Sequence, residues 1–269
     1  MCFMTKVWYP PYRKFRCLRS ECPMNCCGYY AIRLFRKEKG FIDPSFLERD
    51  GDGVRCRSRK DGGCIFWTDG RLCSLQLYGG EEAMPVVCRT YPRIIGRYGS
   101  RIEFGMEPCC PVVAASVENW NIGELLVEGE DGETPDEVAS KRDEAVRILA
   151  DGNLDFRQCL ERLAELYRSD VRIPEITVSG ETLDFLRRVT ALMCWSYLRY
   201  FHGVAEVDNL MTVIITAVSG FMEKNAGVTF ASWWEMALSF SRLLVKYYIE
   251  IGYDIDHEDR YCDILEYSE

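Results

Sequence analysis

The sequence predicts a mainly α protein with a small irregular cysteine-rich, metal-binding α+β unit and a C-terminal helical bundle. Two observations lead there. Ten of the fourteen cysteines lie between Cys17 and Cys110, in a stretch punctuated by glycine, proline and Asp-Gly pairs that favour turns. Beyond an acidic, apolar-poor linker at residues 128–134, apolar residues recur at helical spacing behind recognisable N-caps. The expected domains are residues 1–128, cysteine-rich, and 129–269, α-helical.

In chain order, residues 1–16 are aromatic and basic, with Pro10-Pro11 marking an extended entry. The segment from Tyr29 to Lys39 mixes apolar and basic residues over too short a span to separate strand from helix. Asp43-Pro44 predicts a short helix, with Asp43 as N-cap and Pro44 at the first helical position, broken by Asp50-Gly51-Asp52-Gly53. Asp69-Gly70 between Cys64–Trp67 and Leu72–Leu75 is a hairpin signal, which would put Cys64 and Cys73 on opposite arms. Thr90-Tyr91-Pro92 is extended, because the residue before proline avoids the helical region. Arg101–Met106 reads as a strand, and Cys110-Pro111 opens a helix.

In the second half, Thr134 with Glu137 has the spacing of a capping box, and a helix is expected from there to about Ala150. Further helices are expected over Asp155–Ser169, Ser179–Phe201, Ala205–Asn225 and Phe230–Ile251. Trp195, Tyr197, Tyr200, Trp233 and Trp234 fall at helical spacing and read as core. The acidic tail from Asp254 is peripheral.

Composition narrows the function classes. The net charge of −9 argues against nonspecific nucleic-acid binding, where basic faces neutralise phosphates. The start of the chain lacks a charged segment followed by an apolar one. The longest apolar run, Met211–Met222, is short for a membrane span and suits a buried helix. The expectation is a cytoplasmic protein, where thiols stay reduced and clustered cysteines favour metal ligation over disulfides. Only two histidines occur, His202 and His257, so Cys2His2 zinc sites and histidine-based triads are poorly supported. Gly79-Gly80 lacks the Lys-Ser/Thr of a phosphate loop, and no G-x-G-x-x-G follows a predicted strand.

That leaves the thiols. Thiolates are soft, anionic donors that bind zinc and iron–sulfur clusters. Cys17, Cys22, Cys26 and Cys27 supply four candidates within eleven residues, and Cys64, Cys73, Cys88, Cys109 and Cys110 supply five more. Adjacent cysteines rarely both point at one ion, so Cys26 and Cys27 can face different sites, or one can be core. Cys2, Cys159, Cys194 and Cys262 stand alone and read as ordinary thiols, which pack as small hydrophobes.

At these residues the chain resembles the flagellin lysine-N-methylase (FliB) family, within the broader group of CxxCxxCC-type zinc- or iron-chelating domains. The resemblance runs through Phe15-Arg16-Cys17, Cys22, Cys26-Cys27, Asp61-Gly62-Gly63-Cys64, Phe66 and Leu72-Cys73. It continues through Cys88-Arg89-Thr90-Tyr91-Pro92-Arg93, its most specific element, to Cys110-Pro111. It implies an iron–sulfur protein with one [4Fe–4S] cluster that uses S-adenosylmethionine to methylate lysine side chains of a protein such as flagellin. The matching cysteines are Cys17, Cys22, Cys26, Cys27, Cys64, Cys73, Cys88 and Cys110.

Arg89, Tyr91 and Arg93, placed just after a candidate ligand, are the expected pocket residues: arginine for the carboxylate of S-adenosylmethionine, tyrosine for orienting the amine. Two other readings stand beside this one. The same cluster could serve another S-adenosylmethionine-dependent reaction on a peptide or small molecule. Alternatively, zinc could stabilise a protein-binding module without catalysis.

Overall fold

The computed structural model describes residues 4–28, 30, 32–35, 38, 40–51, 53–130, 136–175, 178–198 and 203–250, with backbone alone over 246–250. Its strands are β1 (Thr5–Trp8), β2 (Arg33–Leu34), β3 (Leu47–Asp50), β4 (Gly53–Cys56), β5 (Arg93–Tyr98), β6 (Arg101–Met106) and β7 (Leu126–Glu128). Its helices are α1 (Ser74–Gly79), α2 (Val86–Thr90), α3 (Pro111–Ser116), α4 (Glu137–Ala150), α5 (Phe156–Leu166), α6 (Gly180–Tyr197), α7 (Val204–Lys224) and α8 (Trp233–Glu250). The protein is thus mainly α with some β.

The chain divides into two compact units at 15/16 and 91/92, rather than at the expected 128/129. Of the described residues, the first contains those up to Phe15 together with those from Pro92 to Glu250; the second contains those from Arg16 to Tyr91.

The first unit is built on a four-stranded sheet in the order β5-β6-β1-β7. Strand β1 lies parallel to β6, with Thr5 opposite Arg101, and antiparallel to β7. The pairing explains why residues 92–130 belong with the helices: Ile95, Ile102, Phe104 and Met106 are buried in the same unit as the helical core. Neither β1 nor β7 was expected. Four and three residues are too few to show a period in sequence. Helix α3 begins as expected, with Cys110 as N-cap and Pro111 in its first turn.

The later helices are set by their caps. Asp136 accepts a hydrogen bond from the Ala139 amide at the start of α4, while Thr134 lies outside the described residues. Asp155 and Gln158 form a reciprocal capping box on α5. Ser179 caps α6 through the Thr182 amide. Helix α7 is long and apolar enough to cross a membrane by length and composition, alone in that among the described residues. Half of its apolar window is buried, through residues such as Met211, Ile214 and Phe221 that pack inside the first unit.

The second unit carries the three-stranded sheet β2-β4-β3, antiparallel throughout. Asp43 caps as expected, accepting from the Ser45 amide at 2.8 Å. Only a single 3-10 turn, Pro44–Phe46, follows before the chain becomes β3. The Asp50–Gly53 segment therefore does not end a helix. It turns β3 into β4, with Gly51 at φ +59°, a conformation that suits glycine. The predicted hairpin shrinks to one bridge between Trp67 and Cys73 around a Thr68–Leu72 turn. Cys64 bridges Ser58 instead, and the segment after Cys73 is helix α1.

Candidate metal centre

Five short elements of the second unit bring thiols into one interior. Cys27 sits on a 3-10 turn and Cys56 ends β4. Cys64 follows the Asp61–Gly63 turn, Cys73 precedes α1, and Cys88 lies on α2. Cys56 and Cys64 are buried members of one core with Ile32, Leu34, Ile42 and Phe66; Cys27, Cys73 and Cys88 pack against it.

The backbone holds these positions firmly. The Cys64 amide donates to the Cys27 carbonyl at 2.7 Å, and the Cys56 amide to the Ile32 carbonyl at 2.8 Å. Asp61 Oδ1 accepts from the Gly63 amide at 3.2 Å, Gly62 takes φ +90°, and Gly63 runs under the Trp67 ring. The Asp-Gly-Gly-Cys string is thus a tight turn that delivers Cys64.

Cys64 is the hub. The neighbouring Cys56 thiol lowers Cys64 to about 7, and Cys56 itself is raised. Cys26 and Cys27 shift one another in the same way, Cys26 downward and Cys27 upward. Cys88 is raised well above the ordinary thiol range, first by burial and then by the nearby charges of Cys26, Cys64 and Cys73. Cys73 is raised by burial. Each of these neighbouring pairs contains one thiol shifted down and one shifted up, as expected where sulfurs crowd together without a counter-charge.

The remaining sequence candidates sit elsewhere. Cys17 is exposed and accepts the Arg19 amide at 3.3 Å. Cys22 is buried and donates to the Met24 carbonyl at 2.7 Å. Cys110 belongs to the first unit, beside Cys109, whose amide donates to Glu107 Oε1 at 3.1 Å. The described cysteines form no disulfide. Cys2, Cys262, His202 and His257 lie outside the described residues.

Arg89, Tyr91 and Arg93 divide between the units. Arg89 follows Cys88 on α2; one of its guanidinium nitrogens meets Glu82 at 2.7 Å, while its buried Nε finds no partner among the described residues. Tyr91 lies in the same unit, its ring 5.5 Å from that of Tyr30. Arg93 begins β5 in the first unit, stacked over the rings of Tyr12 and Phe15 at 5.6 and 5.2 Å.

Beside the thiols the second unit also has an open groove of about 620 Å³. Asn25, Gly28, Arg59, Asp61, Trp67, Asp69 and Arg71 line it. Arg59 spans it, with one nitrogen 3.2 Å from Asp61 and 3.3 Å from Asp69, and another donating to the Trp67 carbonyl at 2.6 Å. The Trp67 indole N–H is buried without a partner among the described residues.

The donor chemistry suits a thiolate-bound metal: soft donors gathered in one neighbourhood and free of disulfides. Among the described residues no three His, Cys, Asp or Glu side chains already stand around a common ion. Any metal held by these thiols would displace their protons. Sequence reasoning left Cys56 out of the candidate set, because it lies outside every family-like string. Its position in the middle of the cysteine run was the available signal. No protein-family model, curated protein or solved structure matches the chain.

Proposed function

We propose that the second unit is a cysteine-rich metal-binding unit holding one [4Fe–4S] cluster. On this reading the protein transfers a methyl group from S-adenosylmethionine to lysine side chains of a protein substrate, with the helices of the first unit as a C-terminal bundle. The observation that carries the reading is the convergence of Cys27, Cys56, Cys64, Cys73 and Cys88 on one core, with Cys26 paired to Cys27. The family-like Cys-Arg-Thr-Tyr-Pro-Arg string supplies the choice of iron–sulfur and of methyl transfer.

When bound, a cluster with one iron open to ligands supplies a chelation point for an amino acid's amine and carboxylate. The chain's own groups do the rest. Arg89, with its unpartnered Nε, is a carboxylate donor next to Cys88. Tyr91 is the proposed positioning group for the amine; Arg93 stands in the other unit. The neutral amine displaces S-adenosylhomocysteine from the methyl carbon, and the resulting ammonium gives a proton to water. Positioning the two reactants in line contributes most of the acceleration.

Anaerobic purification with iron, sulfide and absorbance measurements tests the centre; transfer of labelled methyl to lysine in a substrate protein tests the reaction. Brown protein with iron and sulfide in equal amounts is expected. A colourless protein carrying zinc alone would overturn it.

One observation favours a second reading, structural zinc. Among the described residues, the fully buried cluster around these thiols contains four non-cysteine side chains, with partly buried neighbours such as Trp67 and Val87 packed against it. Small units with so little apolar packing need a staple. The same absorbance measurement separates the two.

A further inference from the structure

We propose that Cys56 is a ligand of the same centre as Cys64, although it belongs to none of the strings that point to the metal. The inference rests on the metal-centre reading above and specifies its ligand set.

Cys56 differs from the other thiols in its support. It ends β4, the central strand of its sheet, with Leu47 opposite on β3 and its amide bonded to Ile32. Its side chain is 3% exposed and shares one buried cluster with Cys64, against which Cys73 and Cys88 pack. The other donors come from turns and from helices of five or six residues. The sheet thus provides one fixed sulfur, and the loops close around it. Ligand sites are most accurately placed when part of the donor set stands on a rigid element.

A buried cysteine can instead be a small hydrophobe. That role makes a distinct prediction, because alanine or serine in a packing site leaves the metal in place. The test compares anaerobically reconstituted wild type with Cys56→Ala and Cys56→Ser, using iron per chain and the electron paramagnetic resonance spectrum of the dithionite-reduced protein. Cys159→Ser is the control; Cys159 is equally buried, but on α5 of the first unit. Expected is iron below half the wild-type content in both Cys56 variants, an altered spectrum for what remains, and wild-type values for the control. Wild-type iron with an unchanged spectrum in Cys56→Ala overturns the assignment and leaves the metal-centre reading intact. Wild type that takes up neither iron nor zinc overturns the metal-centre reading itself, and the assignment with it.

Should both variants fail to fold, selenocysteine at position 56 preserves size and donor character. Selenium-edge X-ray absorption with a metal neighbour at bonding distance supports ligation; light-atom neighbours alone overturn it.

Discussion

Gly63 passes under the indole of Trp67 so closely that a Cβ on the glycine would stand 2.6 Å from Cε3 of the ring. No rotation of a methyl group relieves that overlap. Gly63→Ala is expected to push Trp67 off the turn that delivers Cys64, at about 1–3 kcal/mol for overpacking. Chelator challenge should strip its metal faster than wild type, and adding Trp67→Ala should restore part of the loss. Equal stripping rates for Gly63→Ala and wild type would remove the turn from the account.

Cys64 and Cys17 should behave as opposites. Cys64 is the hub of the interior thiols, whereas Cys17 is exposed on a separate turn. Cys64→Ala is expected to lose most of its metal and Cys17→Ala to keep it, by metal analysis of both proteins. Loading should also acidify an unbuffered solution, since Cys27, Cys56, Cys73 and Cys88 hold their protons beyond the ordinary thiol range and must release any they contribute to the metal. Apparent affinity should therefore rise with pH.

Glu107 is buried in the first unit, accepts the Tyr197 hydroxyl and is raised by desolvation. A carboxyl raised in the folded state contributes stability that is fully present below its unfolded value and is lost as pH rises through the folded one. Glu107→Gln keeps an acceptor for Tyr197 and removes the titration. The variant should gain stability relative to wild type as pH rises from 4 toward neutrality, with the difference smallest at the acid end. Denaturant unfolding across that range measures it, and a gap that does not depend on pH would contradict it.

Arg142 is 1% exposed, pairs with Glu103 and Asp143, and lies 4.2 Å from the Trp195 ring centroid. Arg142→Ala leaves Glu103 buried, still paired with Arg101 at 2.7 Å. Removing one member of a buried pair costs about 3–5 kcal/mol, and the Arg101 contact places this case toward the lower end. Far-ultraviolet circular dichroism reads it cleanly, because α3 to α8 all lie in the first unit. An unfolding midpoint like that of wild type would show the ion pair to be dispensable.

Much of this was legible in the residues. Helix caps at Asp155 and Ser179, Pro111 in the first turn of α3 and the Arg101–Met106 strand are local effects, written within a few neighbouring side chains. The thiols announced themselves by density. What escaped depends on distant partners. β1 becomes a strand because Arg101–Phe104 lies alongside it, and no four-residue segment carries that information. Cys56 meets Cys64 in one buried core because the chain folds back between them, through the Ser58–Cys64 bridge, and Arg93 parts from Arg89 because the chain crosses from one unit to the other after Tyr91. Adjacency in a motif is a poor guide where a proline turns the chain between its members.

The cysteine unit is spliced into the connection between two strands of a single sheet: β1 precedes it, and β5 and β6 follow. A ribosome therefore releases all the interior thiols before β1 has any strand to pair with. If the insert holds a metal as proposed, its delivery can precede assembly of the sheet, and a starved cell would finish each chain around an unfilled insert.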